Sequence, residues 1–333
     1  MGFRVRKSFK VMPGVRMTVT PRGVSTSVGV NGARVRAHSS GRVTGTVGIP
    51  GSGVSYTTSA GGASQARTGA PPRAVAPVSA PKPGMLAPRW EKALHAAAVL
   101  QRDPGAVQRV AAGHSEAQRT AALLEALLGA LPSNDVARVQ ELLGWLWREG
   151  YEPATDPFLS RYLPQAALAL EITPEISVEL PLTRDTIGLT LAEALQSAGD
   201  VRGASDIVEE VTPSTVAAVS LAELYAEQAR WADVIALTDG VANEDEASMY
   251  LLVQRAVALR STGNPGAARE ALKEALRLRS RPAQLRHRAL VERAYTYLAE
   301  NKRAMARKDL EKVLAEDSSY PGLAEAMAEL PRE

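Results

Sequence analysis

Histidine is the side chain best suited to proton transfer or metal binding near neutral pH. The four in this chain, His38, His95, His114 and His287, stand far apart, and none falls at metal-ligand spacing. There is no cysteine, which excludes disulfides, thiolate zinc sites, iron–sulfur clusters and Cys nucleophiles together. No Walker loop, Rossmann glycine pattern, GxSxG elbow or HExxH motif occurs. Gly51-Ser52-Gly53 is too short for a phosphate loop and reads as a hairpin turn. The 36 acidic residues read as the polar faces of amphipathic helices, among which no catalytic pair stands out. The expectation is a protein without enzymatic activity, cofactor or metal, whose chemistry is ion pairing and surface recognition.

The basic residues sharpen that expectation. Of the 39 Lys and Arg, 13 lie before residue 91, and no Asp or Glu precedes Glu91. The rest of the chain holds 26 basic and 36 acidic residues, so a net charge of +3 hides two regions of opposite sign. Arg4, Arg6, Arg16, Arg34 and Arg36 fall at positions facing away from the apolar set. A cationic face without acids suits nucleic acid, an acidic protein or an anionic membrane surface. It equally suits a soluble sheet charged against aggregation. No aromatic residues are interleaved on that face to stack bases, which weighs against sequence-specific nucleic-acid readout.

The elements that must position these residues follow from two periods. Over residues 1–57 the apolar period is 2: Val15, Met17 and Val19 alternate with Arg16, Thr18 and Thr20, and Ala33, Val35 and Ala37 alternate with Arg34 and Arg36. Such alternation predicts strands with one buried face. Pro13-Gly14, Asn31-Gly32 and Ser40-Gly41 carry turn chemistry, and Gly14, Gly23, Gly32 and Gly41 recur every nine residues. The spacing fits a small antiparallel meander, with a short stacking solenoid as the alternative. So small a sheet is short of core. It is expected to pack on the helical part or on another copy.

The runs MGFRVRKSFK, PGVRMTVTPRGVSTSVGVNGARV and GTVGIPGSGVSYT resemble the bacterial N-terminal domain family of unknown function, DUF4236, over nearly all of residues 1–57. The resemblance implies a small β-rich domain set ahead of other modules, and no activity. Residues 58–88 are rich in Pro, Ala, Gly and Ser, with no acid, and read as a disordered linker.

From residue 89 the period becomes 3.6. Residues 89–175 read as divergent helical hairpins, with Ile172 to Leu182 extended between two helical halves because Pro174 and Pro181 forbid a helix. Asn134 is expected to cap one helix, and Asp156-Pro157 to begin another. Over 183–330, Ala204, Val234, Ala268 and Ala306 occupy the same place in four successive helical hairpins, at spacings of 30, 34 and 38 residues. These units resemble tetratricopeptide repeats. The resemblance implies an α–α superhelix with a concave groove for a protein or peptide partner.

The expected fold is thus multidomain, a small antiparallel β domain followed by an all-α superhelix. The repeat register places Glu223, Glu227, Tyr250, Arg260, Arg288 and Tyr295 in the groove. Repeats that clamp a C-terminal dicarboxylate carry Lys and Asn where this chain has Val219, Glu223, Val253 and Val257, so that clamp is not expected. The basic stretch from Arg277 to Arg293 reads as a solvated face paired with Glu270, Glu274 and Glu292. No run approaches 18 apolar residues, and no apolar segment follows the N-terminal basic residues. The expectation is a cytoplasmic scaffold, with self-association through the β domain, and with nucleic-acid or anionic-membrane attachment as the alternative.

Overall fold

Turn residues and apolar period divide the chain into strands before residue 60 and mainly helices after residue 89. The computed structural model describes residues 7–12, 15–20, 23–30, 33–38, 43–48, 55–60, 81–173, 176–328 and 330. Two units result: Met1–Glu171 with Ser177–Ala198, and Ile172–Ile176 with Gly199–Glu333.

In the first unit, β1 (Lys7–Met12), β2 (Val15–Thr20), β3 (Gly23–Val30), β4 (Ala33–His38), β5 (Val43–Gly48) and β6 (Ser55–Ala60) pair antiparallel in chain order. The register sets Lys10, Arg16, Ser27, Arg36 and Thr44 in one row across the strands.

Helix α1 (Arg89–Leu94) begins directly after Pro88 and runs on as a π-helical turn, His95–Gln101. Next come α2 (Pro104–Gly113), α3 (Gln118–Glu125) with a π-helical continuation over Ala126–Ala130, and α4 (Leu131–Ser133). Helix α5 (Val136–Arg148) is capped by Asp135, whose carboxylate accepts from the Arg138 amide at 3.0 Å. This corrects the expected cap: Asn134 instead ends the preceding helix at φ +58°, a conformation that Asn tolerates better than most residues. Asp156 caps α6 (Pro157–Tyr162).

The stretch after α6 is extended, as expected from Ile172 onward, but it becomes so earlier than expected. It is two strands, β7 (Ala167–Thr173) and β8 (Ile176–Pro181), adjacent in the sheet, and its first strand begins inside the span expected to be helical hairpins. Pro164 and Pro174 leave too short a run for a stable helix, and a brief apolar run such as ALALEIT is ambiguous by period alone. Helix α7 (Arg184–Ser197) follows, capped by Thr183. The helical core is built on Leu94, Val107, Ala126, Val139 and Leu146, all fully buried. Glu91 ties α1 to α6 by accepting from Tyr162 Oη at 2.6 Å and Arg161 Nη1 at 2.7 Å.

The second unit runs through α8 (Val201–Glu209), α9 (Thr215–Glu227), α10 (Trp231–Leu237), α11 (Glu246–Ser261), α12 (Pro265–Ala275), α13 (Ala283–Ala299), α14 (Arg303–Glu316) and α15 (Leu323–Ala328). Ala204, Val234, Ala268 and Ala306 are each the fourth residue of their helix and fully buried. Twelve residues before them stand Ala192, Ala222, Ala256 and Ala294, at most 1% exposed. In α9–α10, α11–α12 and α13–α14 these small pairs let the two helices approach closely. Leu272 and Leu310 follow one turn later, fully buried.

Each hairpin turn uses the same backbone device. The residue two places after the first helix is left-handed: Gly199, Ala229, Gly263 and Asn301. In three of the turns the next amide bonds back to the helix at 2.8 Å: Arg230 to the Tyr225 carbonyl, Asn264 to Leu259, and Lys302 to Tyr297. This is the Schellman arrangement, which favours glycine at the left-handed position. Ala229 holds it at φ +55° against its own Cβ. Ala229→Gly is therefore expected to stabilise the second unit by about 0.5–1 kcal/mol, and Gly263→Ala to destabilise it by a similar amount. Urea unfolding of the two variants, followed by circular dichroism, checks both signs.

Candidate functional site

Helix α11 packs on α9 and on α13, so the first helices of three successive hairpins lie side by side. That alignment follows from the repeat period, and it brings the groove residues together. Glu223 (α9) accepts from Gln254 (α11) and pairs with Arg288 (α13), whose Nη2 lies 3.4 Å from its Oε1. Gln254 Nε2 also donates to Tyr250 Oη at 2.7 Å, and the Arg288 guanidinium stands 4.7 Å from the Tyr250 ring centre. These residues link three helices.

A second group lies further along the same helices. Arg260 (α11) donates through Nη2 to Glu292 Oε2 at 2.8 Å and through Nη1 to the Glu292 carbonyl at 3.0 Å. It also reaches Thr296 Oγ1 at 3.3 Å and stands 5.8 Å from the Tyr295 ring centre. The charges of the lining are thus matched in pairs before any ligand arrives. Separating those pairs would leave half-buried charges unpaired.

Glu223, Arg260, Arg288 and Tyr295 are half-buried, and Glu227 is exposed. Tyr250 departs from the expected groove lining: it is fully buried, and its hydroxyl and ring support the network from beneath. Gln254 does not emerge from the sequence, and Glu292 emerges there only as a partner of the basic stretch. Gln254 stands four residues after Tyr250, a spacing that puts both on one helix face. Only its partner on α9, Glu223, gives it a role.

Glu223→Ala is expected to leave Gln254 and Arg288 short of an acceptor. The pair is part-exposed and screened, so the cost is about 1–2 kcal/mol. Faster amide exchange in the middle of α11 would show it.

The basic stretch from Arg277 to Arg293 is paired, but mostly with acids other than those expected. Arg277 bonds Glu274 within its neighbourhood at 2.9 Å. Arg286 reaches Glu316, Arg288 reaches Glu223 and Arg293 reaches Asp309, all on other helices. Arg281 bonds Asn243, whose buried amide in turn donates to the Glu274 and Ala275 carbonyls at the end of α12.

The histidines stay apart. His95 is buried with its ring edge against Tyr162, and His287 is buried beside Glu316 at 3.0 Å. Among the described residues no three His, Cys, Asp or Glu are grouped to hold a metal. An open cleft between the first π-helical turn and α2 is lined by Ala93, Ala97, Ala106 and Val110 with Arg109 and His114, and none of the groove residues lines it. Arg4 and Arg6 lie outside the described residues, while Arg16 sits on β2 and Arg34 and Arg36 on β4. The linker expected over 58–88 lies largely outside them too. Among the described residues no helix is long and apolar enough to cross a membrane.

Residues 3–57 match the family described as a protein of unknown function, DUF4236, and residues 250–282, spanning most of α11 and α12, match the tetratricopeptide repeat family. Comparison with curated proteins finds no match. Among solved structures, the chain is similar to the crystal structure of the N-terminal domain of the EccA1 ATPase from the ESX-1 secretion system of Mycobacterium tuberculosis. The TM-score is 0.53 at 15% identity, over 74% of this chain and 90% of that one. At that identity the likeness bears on fold alone, and the fold is tetratricopeptide-like.

Proposed function

We propose that this chain is a non-enzymatic interaction scaffold, in which the face formed by α9, α11 and α13 takes a protein or peptide partner of mixed polarity. One observation carries the reading: the lining is built from side chains of three adjacent helices whose charges are already paired, Glu223 with Arg288 and Arg260 with Glu292. Such a lining offers hydrogen bonds, aromatic edges and apolar contact, with most of its charges already met. Glu227, exposed on α9, and Tyr295, half-buried on α13, are the groove residues changed to test the reading. A full-length chain used as bait, compared with a Glu227→Lys/Tyr295→Ala variant of equal helicity, tests it. Loss of at least tenfold of a captured partner is expected for the variant. Equal capture by both chains overturns the groove as the binding face.

A second reading concerns the β domain, which we assign to localisation or self-association. The row holding Lys10, Arg16 and Arg36 across the strands, in a region without acids, favours contact with a polyanion or an anionic membrane surface. Such binding is expected at low salt and to vanish at high salt. Absence of binding to duplex DNA and to anionic vesicles at low salt removes this reading.

A further inference from the structure

We infer that β7 is the docking strand of the N-terminal β domain: β1 adds to its edge, so the domain is held against the helical part of its own unit instead of trailing from it on the linker. This inference does not depend on the groove reading above.

The first argument is burial. A strand at the rim of a sheet alternates between covered and open positions, and β8 does so, with Ile176 buried and Ser177, Glu179 and Pro181 exposed. Strand β7 does not alternate. Leu168, Ala169 and Leu170 are successive and 4%, 6% and 6% exposed, so both faces are covered. A strand covered on both faces is shielded from water, and its buried backbone groups need a partner along each side. β8 supplies one side.

The second argument is register. β1 lies on the other side of β7, antiparallel, with Lys7 opposite Leu170, Ser8 opposite Ala169 and Phe9 opposite Leu168. β1 is one of the two end strands of the series β6 to β1, so it brings an outward edge to the joint. β7 itself has no proline or lysine, and its one charged residue is Glu171.

The third argument is reach and charge. Residues 61–88 can span up to about 90 Å, whereas β6 lies only about 24 Å from β1 at ordinary strand spacing. The chain therefore returns from the far edge of the sheet to α1 with length to spare. A joint of three residue pairs is weak between separate molecules, but tethering raises the local concentration to the millimolar range. The acid-free N-terminal region and the acid-rich remainder attract each other at long range.

The chain has no cysteine, so introduced pairs report without background. Directly opposed strand residues lie within disulfide reach. In the full-length chain, Ser8→Cys/Ala169→Cys is expected to form a monomer-sized cross-link under mild oxidation. Ser8→Cys/Ser177→Cys, one strand further away, is not. Absence of the cross-link, equal cross-linking of both pairs, or a dimer-sized product from strand exchange with a second copy overturns the inference. Ser8→Pro gives an independent readout, because proline cannot sit in an interior strand. Amides of residues 168–170 should then exchange at least tenfold faster while those of α11 are unchanged. Unaltered exchange at β7 overturns it as well.

Discussion

Asp309→Ala is expected to lower the stability of the second unit by about 3–5 kcal/mol, the range for breaking a buried charge pair from one side. Asp309 is 3% exposed on α14 and accepts from Arg293 of α13 through both oxygens, Nε to Oδ2 at 2.7 Å and Nη2 to Oδ1 at 2.9 Å. Lys312 adds a third bond at 2.8 Å. Removing the carboxylate leaves the Arg293 guanidinium facing an apolar interface between the last two long helices. Arg293→Met/Asp309→Leu should recover most of the loss, because the double change removes the stranded charge. Failure of the double variant to recover would show that geometry, not desolvation, governs the pair.

The same pair carries a pH dependence. Burial alone pushes the Asp309 carboxyl up, but the hydrogen bonds from Arg293 and Lys312 more than reverse this and hold it below the usual aspartate value. A depressed folded-state value means the stabilisation is complete above the unfolded aspartate value of about 4 and is lost as pH falls through the folded value. The wild type should therefore lose stability below about pH 4 more steeply than Arg293→Met/Asp309→Leu. Urea midpoints between pH 6 and pH 3 measure the difference.

The second large effect is expected in the first unit, at Asp156. This buried carboxylate accepts four bonds: Oδ1 from the Phe158 and Leu159 amides at 2.8 and 2.9 Å, and Oδ2 from Thr120 Oγ1 and Tyr151 Oη at 2.6 and 2.7 Å. It caps α6 and at the same time holds the hydroxyls that anchor α3 and the end of α5. Burial raises the Tyr151 phenol, and the bond to Asp156 raises it further, so the phenol stays a donor. Asp156→Ala removes a cap and orphans two buried hydroxyls, a loss of about 3–4 kcal/mol. Asp156→Asn keeps an acceptor for the amides, and the hydroxyls can rotate to accept from its NH2 group, so about 1 kcal/mol is expected. Trp90, Trp145 and Trp147 lie in this unit, and their fluorescence during urea unfolding follows it. Equal costs for Ala and Asn would mean that the two hydroxyls contribute nothing.

Much of the helical region was legible because its signals are local. The change of period near residue 89, the Asp156-Pro157 helix start and the recurrence of Ala204, Val234, Ala268 and Ala306 can all be read within one or two turns of chain. The misreadings have local causes too. Asn134 and Asp135 are both good capping residues, and which of them closes one helix or opens the next depends on a left-handed φ that neighbouring sequence does not specify. The run 167–173 has the length and composition of either state, and its pairing with β8 and β1 decides for strand.

The groove shows the same division. Register alone placed Glu223, Arg260, Arg288 and Tyr295 on the first helices, because an α-helix repeats its faces by a fixed angle. What each side chain touches depends on residues 31 to 65 positions away, as in Gln254 with Glu223 and Arg288 with Glu223. The same distance dependence buried Tyr250, turned the basic stretch into cross-helix ion pairs and made Asp309 an interior anion. Composition, charge segregation and period were determined by the sequence itself, since each is a property of neighbours along the chain. Pairing, burial and ionisation were decided only by the tertiary structure, because they depend on which helices and strands lie against one another.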